Sequence, residues 1–249
     1  MTVIIKALLN LLYPPRCPFC GTLLSPHDSG DIRLSPAGGG SPSWVERLTC
    51  RRCAAELPWI KRSCPRCGTP LEEGESECRH CNIGVFSFQD CCALACYRGK
   101  IRETLHRFKY RGQKALAEPL GKLLAGKIAR EPWSSSLEFL VPVPLSRQRL
   151  LQRGYNQASL LAGVLSRELG LPVKEILERV RETESQTGLN RSRRAENLYR
   201  AFRCCREVPA GSHVLLVDDV LTSGATAHEA SRTLKEAGAG RISVAVVAR

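Results

Sequence analysis

The chain has 249 residues, of which 43% are hydrophobic, so it can bury a sizeable core, and its length favours one or two domains over a larger number. Its formal net charge at pH 7 is +13. The excess is greatest in residues 141–206, where 13 Lys and Arg stand against six Asp and Glu, and nearly all of these basic residues are arginine, which indicates recognition of phosphate rather than a merely solvated surface.

The first predicted element is the apolar segment V-I-I-K-A-L-L-N-L-L at residues 3–12. It is too short to cross a bilayer and has neither a basic leader nor a small-residue cleavage site, so we expect no membrane span and no export signal. We interpret the segment as a packing helix, with peripheral membrane contact as the less favoured alternative. The expected location is therefore the cytoplasm, where paired cysteines bind metal more often than they form disulfides.

Four C-x-x-C pairs follow between residues 17 and 81 and hold eight of the 13 cysteines. Their surroundings repeat as C-P-x-C-G and then C-R-x-C, which indicates two tandem units. Two such turns can place four thiolates around one Zn²⁺, so we predict two structural zinc ions without an open coordination position. A redox function and iron–sulfur clusters are less favoured alternatives. The predicted ligands are Cys17, Cys20, Cys50, Cys53, Cys64, Cys67, Cys78 and Cys81.

The repeat favours sequential pairing over a cross-braced arrangement, with the first two C-x-x-C units on one ion and the last two on the other. The long gap at residues 25–43 is rich in Ser, Pro and Gly and is predicted to be a mobile loop. His80 is expected to be an exposed side chain rather than a ligand. The remaining cysteines are expected to be small buried hydrophobic residues: Cys91, Cys92, Cys96, Cys204 and Cys205.

Alternating strand and helix patterns begin after about residue 92, so we divide the chain into a zinc-binding domain at 1–90 and a second domain at 91–249. The second domain is predicted to contain strands at 93–97, 138–143, 213–218 and 242–248, helices at 101–110, 115–130, 154–169 and 225–237, and an arginine-rich connection at 179–206. Such alternation is typical of an α/β fold with a mostly parallel sheet that helices cover on both faces. Ligands of these folds bind beyond the carboxyl ends of the strands.

One strand-loop-helix unit carries the strongest functional signal, H-V-L-L-V-D-D-V-L-T-S-G-A-T at residues 213–226. Hydroxyl residues and a glycine before a helix suit a phosphate, because unpaired N–H groups and the helix dipole favour an anion there. The adjacent carboxylates of Asp218 and Asp219 repel phosphate and instead indicate sugar hydroxyls. The spacings of the Walker loop and of the dinucleotide-binding turn do not occur in the chain. The pattern predicts a site for a ribose 5-phosphate, against the alternative of a capped turn after a core strand.

The apolar strand, the acidic pair and the T-S-G-A-T loop closely resemble the phosphoribosyl pyrophosphate (PRPP) signature of type I phosphoribosyltransferases. Three further motifs make the chain similar to the ComF family of competence proteins: F-K-Y-R-G at 108–112, V-P-V-P-L-S-R-Q-R-L-L-Q-R-G-Y-N-Q at 141–157 and S-Q-T-G-L-N-R-S-R-R-A-E-N-L at 185–198. The resemblance implies a type I phosphoribosyltransferase-like α/β domain preceded by a double zinc ribbon. It also implies a function in DNA uptake and natural transformation.

The resemblance assigns roles to individual residues. Asp218 and Asp219 would contact the ribose hydroxyls and stabilise the positive charge that develops on the ribosyl carbon. The loop that would hold the 5-phosphate comprises Leu221, Thr222, Ser223, Gly224, Ala225 and Thr226, and the loop that would contact pyrophosphate comprises Leu145, Ser146 and Arg147. Magnesium is expected to accompany the pyrophosphate, because Mg²⁺ prefers phosphate oxygens and water as ligands.

Two classes of function stay open, because no segment of the sequence convincingly supplies a purine or pyrimidine pocket. The favoured interpretation is a PRPP-binding protein that contacts single-stranded DNA, with a DNA-uptake helicase or an inner-membrane DNA channel as a further candidate partner. The alternative is an active phosphoribosyltransferase that modifies a nucleotide-related acceptor and releases pyrophosphate. The residues predicted to contact DNA are Arg149, Arg153, Arg191, Arg193 and Arg194. Candidates for stacking on unpaired bases are Trp59, Tyr110, Tyr155, Tyr199 and Phe202.

Overall fold

A computed structural model describes residues 14–24, 45, 48–72, 74, 75, 78, 81, 86–181 and 199–249. Its helices are α1 (Arg51–Glu56), α2 (Gly99–Tyr110), α3 (Ala117–Ile128), α4 (Arg147–Arg153), α5 (Gln157–Leu169) and α6 (Ala225–Glu236). Its strands are β1 (Asp90–Ala95), β2 (Phe139–Pro142), β3 (Leu177–Arg179), β4 (Phe202–Cys204), β5 (His213–Val220) and β6 (Arg241–Ala248). The segment 3–12, the loop 25–43 and His80 lie outside the described residues.

The centre of the fold is a four-stranded parallel sheet in the order β1, β6, β5, β2. Successive side chains of its central strands point to opposite faces, as the pleat requires. Leu215 and Val217 therefore join the apolar cluster that contains residues of α2, α3 and α5, while Val214 and Leu216 join the cluster that contains residues of α6. Both faces of the sheet are covered, which confirms the predicted α/β fold.

The region after β2 contains a helix that the sequence analysis did not predict. Residues of α4 come directly before Gly154, whose φ of 74° is left-handed and ends the helix. A second helix, α5, then begins after Asn156, whose side chain accepts a hydrogen bond from the backbone N–H of Ala158 at 3.0 Å. The helix predicted at 154–169 therefore starts at residue 157. Helix α4 has no buried residues and so lacks the apolar periodicity on which helix prediction depends.

The two cysteine regions pack on opposite faces of the sheet. Cys17 and Cys53 belong to the same buried cluster as α2, α3 and α5, whereas Cys64 and Cys67 belong to the cluster that contains α6. Strand β1 lies at the edge of the sheet, and its Cys91 N–H donates to the carbonyl of Pro65 at 2.8 Å. The cysteine-rich front, by which we mean residues 17–81, therefore shares buried clusters with the α/β domain. The domain boundary at residue 90 stays a prediction.

The arginine-rich connection predicted at 179–206 is wrong where it includes strand residues, namely Arg179 at the end of β3 and all of β4. Strands β3 and β4 form an antiparallel pair there, with Arg179 opposite Phe202. Phe202 is buried, and the guanidinium of Arg179 lies 5.6 Å from the centre of its ring. Strands of three residues are too short to give a recognisable alternating pattern, which explains why they were not predicted.

The leftover cysteines and the candidate stacking residues differ in their exposure. Cys91 and Cys92 are buried as predicted, but Cys96 and Cys204 are only half-buried and Cys205 is exposed, with its sulfur near the carbonyl of Ile176. Of the candidate stacking residues, Tyr110 and Tyr199 are exposed, whereas Tyr155 and Phe202 are buried and Trp59 packs edge-on against Phe19. Within the described part of the chain, no helix has the length and hydropathy that a bilayer-spanning segment needs.

Candidate functional site

The eight predicted ligands come together as two tetrads, Cys17, Cys20, Cys50 and Cys53, and Cys64, Cys67, Cys78 and Cys81, with all sulfurs of a tetrad within 4.8 Å of one another. Individual Sγ–Sγ distances are 3.5 Å for Cys20 and Cys50 and 3.4 Å for Cys67 and Cys78. Disulfide sulfurs lie at about 2.05 Å, whereas thiolates at about 2.3 Å from a tetrahedral Zn²⁺ lie about 3.8 Å apart. Each tetrad could therefore hold a zinc ion, and the predicted sequential pairing is confirmed.

Each tetrad also contains a threonine beside its first C-x-x-C turn. Thr22 Oγ1 lies 3.3 Å from Cys20 Sγ, and Thr69 Oγ1 lies 3.2 Å from Cys67 Sγ. Although burial raises the pKa of both thiols, the hydrogen bonds of the threonines contribute to a net decrease to about 6. Each threonine hydroxyl thus favours the thiolate form of the neighbouring cysteine, which is the form that binds metal.

An open pocket lies at the carboxyl ends of β2 and β5, where a parallel sheet of this type binds its ligands. It brings together the acidic pair of β5, the following loop and basic side chains from three other elements. Its lining includes Tyr97, Lys109, Leu145, Arg149, Arg153, Arg179, Asp218, Asp219 and residues 221–226. The two segments that the sequence analysis assigned to ribose phosphate and to pyrophosphate therefore meet at one site.

The acidic pair is held by a lysine from the end of α2. Lys109 Nζ lies 2.7 Å from Asp219 Oδ1, and Asp218 Oδ1 accepts the backbone N–H of Asp219 at 2.8 Å. Burial and the negative charge of Asp219 raise the pKa of Asp218 to about 7. Burial lowers the pKa of Lys109, but Asp219 outweighs this effect and the pKa lies above its ordinary value. Lys109 is therefore a fixed positive charge beside the two carboxylates.

The loop at residues 221–226, which we call the phosphate loop, leads directly into α6. Gly224 precedes this helix with a left-handed φ of 82°. A Cβ atom at this position would lie 2.6 Å from Cε1 of Phe86, so the close packing of Phe86 as well as the backbone conformation requires glycine. The first turn of the 12-residue helix α6 thus opens next to the hydroxyl side chains of Thr222 and Ser223, as an anion site requires.

Three arginines also line the pocket. Arg149 and Arg153 extend from α4, and Arg179 extends from β3. Burial, together with the charge of Arg149, lowers the pKa of Arg179 to about 10, so its guanidinium is still charged at neutral pH. Arg153 also lies 5.0 Å from the ring centre of the exposed Tyr110. The pocket therefore offers several positive charges to a ligand that carries phosphate groups.

Other predicted site residues have different positions. The Ser146 side chain caps α4 by accepting the Arg149 N–H at 3.4 Å, and Arg147 is an exposed residue outside the pocket lining. Arg191, Arg193 and Arg194 lie outside the described residues. Lys109 lies within the F-K-Y-R-G motif, yet its position in the pocket was not predicted, because nothing in the local pattern places it next to a strand 110 residues away.

The fold and this pocket together define a phosphoribosyltransferase-type domain, and residues 156–249 match the family model described as "Phosphoribosyl transferase domain". Competence protein F of Haemophilus influenzae is 34% identical over 207 residues, which cover 80% of this chain and 88% of that protein. The DNA utilization protein YhgH of Escherichia coli is 32% identical, with 78% and 87% covered, and the competence protein ComFC of Bacillus subtilis is 30% identical, with 78% and 80% covered. The chain belongs to the ComF family of competence proteins.

Proposed function

We propose that the protein binds PRPP in this pocket and contacts single-stranded DNA as part of DNA uptake. The observation that carries the proposal is the set of groups that line one cavity: two carboxylates on β5, the phosphate loop and three arginines. PRPP has a phosphate at C5, two free ribose hydroxyls and a pyrophosphate at C1. Its chemical groups therefore match the sequence of donors and acceptors along the pocket.

The acidic pair is proposed to contact the ribose. An ionised carboxylate can accept hydrogen bonds from both vicinal hydroxyls, and Lys109 orients Asp219 through its 2.7 Å contact. The phosphate loop would bind the 5-phosphate through backbone N–H groups and the hydroxyls of Thr222, Ser223 and Thr226. Arg149 and Arg179 then remain for the pyrophosphate, and Leu145 also lines the pocket. Magnesium would bind the pyrophosphate oxygens rather than a dedicated protein cage.

DNA contact is proposed from the names of the relatives and from the surface beside the pocket. Relatives named for competence and for DNA utilization cover most of this chain. Exposed Tyr110 lies next to Arg153 at the pocket, which combines an aromatic ring with a positive charge as single-strand binding sites do. The proposed partner is single-stranded DNA in the cytoplasm, handed on from a DNA-uptake helicase or an inner-membrane DNA channel. The two tetrads are proposed to hold structural zinc.

Catalysis is the second candidate function. The pocket is lined both by arginines and by the acidic pair, so the leaving pyrophosphate and the ribosyl carbon could each meet charge of opposite sign. Such an arrangement would stabilise C1–O cleavage without a covalent nucleophile. The acceptor would be a nucleotide-related molecule.

A pyrophosphate-release assay with PRPP and Mg²⁺, with and without single-stranded DNA, tests the proposal and separates its two forms. A binding protein is expected to retain PRPP without turnover and to bind the DNA strand. Release of pyrophosphate that depends on an acceptor would establish the transferase, and the failure of both ligands to bind would contradict either form.

A further inference from the structure

Arg249 links the phosphate loop to the second cysteine tetrad. Its Nη1 donates to the carbonyl of Thr222 at 2.8 Å and to the carbonyl of Leu221 at 3.3 Å. The other side of the same guanidinium donates to the hydroxyl of Thr69, from Nη2 at 2.8 Å and from Nε at 3.1 Å. Because the guanidinium is planar and rigid, a shift of Thr69 is transmitted to the start of the loop.

Thr69 is itself fixed by the second tetrad. Its hydroxyl lies 3.2 Å from Cys67 Sγ, and its carbonyl accepts the backbone N–H of Cys64 at 2.8 Å. A hydroxyl can donate to sulfur while it accepts from a guanidinium, so both contacts of Thr69 Oγ1 are satisfied together. The position of Thr69 therefore depends on the turn that carries Cys64 and Cys67.

The far end of the phosphate loop is held by the segment that follows the same tetrad. Phe86 packs against Gly224, so closely that the glycine has no room for a Cβ atom. The backbone N–H of Ser87 donates to His228 Nδ1, in the first turns of α6, at 3.1 Å. The start of the phosphate loop is thus linked to the second tetrad through Arg249 and Thr69, and Gly224 packs against Phe86, which follows this tetrad in the sequence.

The first tetrad offers a matched comparison. Its threonine, Thr22, lies in the same C-P-x-C-G-T sequence and makes the same contact with a cysteine sulfur. Its neighbouring turn instead contacts α2, where Arg107 Nη2 donates to the carbonyl of Pro18 at 2.7 Å. Among the described contacts, Thr22 has none with Arg249 or with the phosphate loop.

We infer that Thr69 and Arg249 are positioning residues, through which the second tetrad holds the phosphate loop in the shape that receives a ribose 5-phosphate. The inference rests on the proposed function in assigning the ligand, but the ordering of the loop is independent of it. The first tetrad stabilises the α2 face of the fold and leaves the loop unaffected.

Hydrogen–deuterium exchange of the zinc-loaded full-length protein, without PRPP, tests the ordering. The informative peptide covers residues 221–226, and a peptide from the buried half of β5 serves as the internal reference. Thr69→Val and Arg249→Met remove the link from its two sides. In both variants the loop peptide should exchange at least about fivefold faster than in the wild type, because a charge-assisted hydrogen bond is lost. Exchange of the reference peptide should be unchanged. Thr69→Ser, which keeps the hydroxyl, and the matched variant Thr22→Val should exchange like the wild type.

The inference would be overturned if the loop peptide exchanged at the wild-type rate in both Thr69→Val and Arg249→Met. An equal increase of its exchange rate in Thr22→Val would also overturn it. Calorimetric titration with PRPP separates this result from the proposed function. If the wild type binds PRPP, Thr69→Val should weaken binding about tenfold at an unchanged zinc content, and unchanged affinity would refute the positioning role. If the wild type does not bind PRPP, the proposed function fails, while the exchange data still decide whether the tetrad orders the loop.

Discussion

Lys109 Nζ lies 2.7 Å from Asp219 Oδ1, and both side chains are largely buried between the end of α2 and the end of β5. The two residues are far apart in sequence, so this ion pair joins two elements that are distant in the chain. It also places a positive charge directly beside the two carboxylates that we assign to ribose. The ion pair therefore bears both on the stability of the fold and on the charge at the proposed ribose site.

Replacing Lys109 by Met should destabilise the protein by about 3 kcal/mol, because it leaves Asp219 as a largely buried charge without its partner. The measurement is the change in the unfolding midpoint in urea. Lys122→Met is the matched control, since Lys122 pairs with Glu118 at 3.0 Å on the surface, where the loss should stay below about 1 kcal/mol. The double variant Lys109→Met/Asp219→Asn should recover part of the stability. Equal losses of stability in the two lysine variants would show that the buried ion pair contributes no more to stability than the surface ion pair.

The cysteine tetrads make a prediction about metal content. Elemental analysis of the purified protein should give close to two zinc ions per chain, and Cys64→Ser should lose one of them while the first tetrad keeps its own. Iron with visible absorbance would instead indicate clusters. Full zinc content in Cys64→Ser would contradict the assignment of this tetrad.

The sign of the pH dependence follows from Asp218, whose pKa is raised from 3.8 to about 7 in the folded protein. Between about pH 4 and pH 7 the unfolded chain loses this proton while the folded chain keeps it, so the contribution of Asp218 to stability falls as pH rises. Asp218→Asn removes that contribution. The stability of the variant minus that of the wild type should therefore increase between pH 5 and pH 8. The increase should be on the order of 1 kcal/mol or more, because one pKa unit corresponds to about 1.4 kcal/mol.

Thermal melts of the wild type and of Asp218→Asn, run side by side at several pH values, check this prediction. Titrating groups that the two proteins share, including the metal-binding thiols, cancel in the difference. A difference that stays constant from pH 5 to pH 8 would mean that Asp218 is already ionised throughout the range.

The sequence predicted those parts of the site whose residues lie close together in the chain. Asp218, Asp219 and the phosphate loop form one contiguous pattern, and the repeated C-P-x-C-G turns were sufficient to predict the sequential pairing of the tetrads. The roles of Lys109 and Arg249 were not predicted, because each is a single side chain that contacts residues distant in sequence. Neither residue belongs to a repeated or periodic sequence pattern that would indicate such a contact. Such contacts depend on how the elements pack, and local periodicity does not encode them.

The assignment of DNA-binding residues predicts a change in salt dependence. Replacing Arg191, Arg193 and Arg194 together by Ala should weaken binding of single-stranded DNA and flatten the slope of log affinity against log salt by up to about 2, since each lost phosphate contact removes roughly 0.7. The measurement is fluorescence anisotropy with a labelled oligonucleotide at several salt concentrations. PRPP binding should change far less.

A triple variant of the cysteine-rich front, Arg51→Ala, Arg52→Ala and Arg66→Ala, removes the same charge from exposed residues and serves as the control. It should bind DNA like the wild type at each salt concentration. If the two triple variants exchange these behaviours, DNA contacts the cysteine-rich front, and the arginines at 191–194 have another role.

Calorimetric titration with PRPP in the presence of Mg²⁺ tests the central claim most directly. The wild type should bind one PRPP per chain, and Asp218→Asn/Asp219→Asn should bind it at least about tenfold more weakly, a loss of about 1.4 kcal/mol or more, with zinc content and circular dichroism unchanged. The charge-matched control Glu103→Gln/Glu207→Gln, at two exposed positions, should bind like the wild type. Wild-type affinity in the double aspartate variant would contradict the account, because the acidic pair would then not contact the ligand.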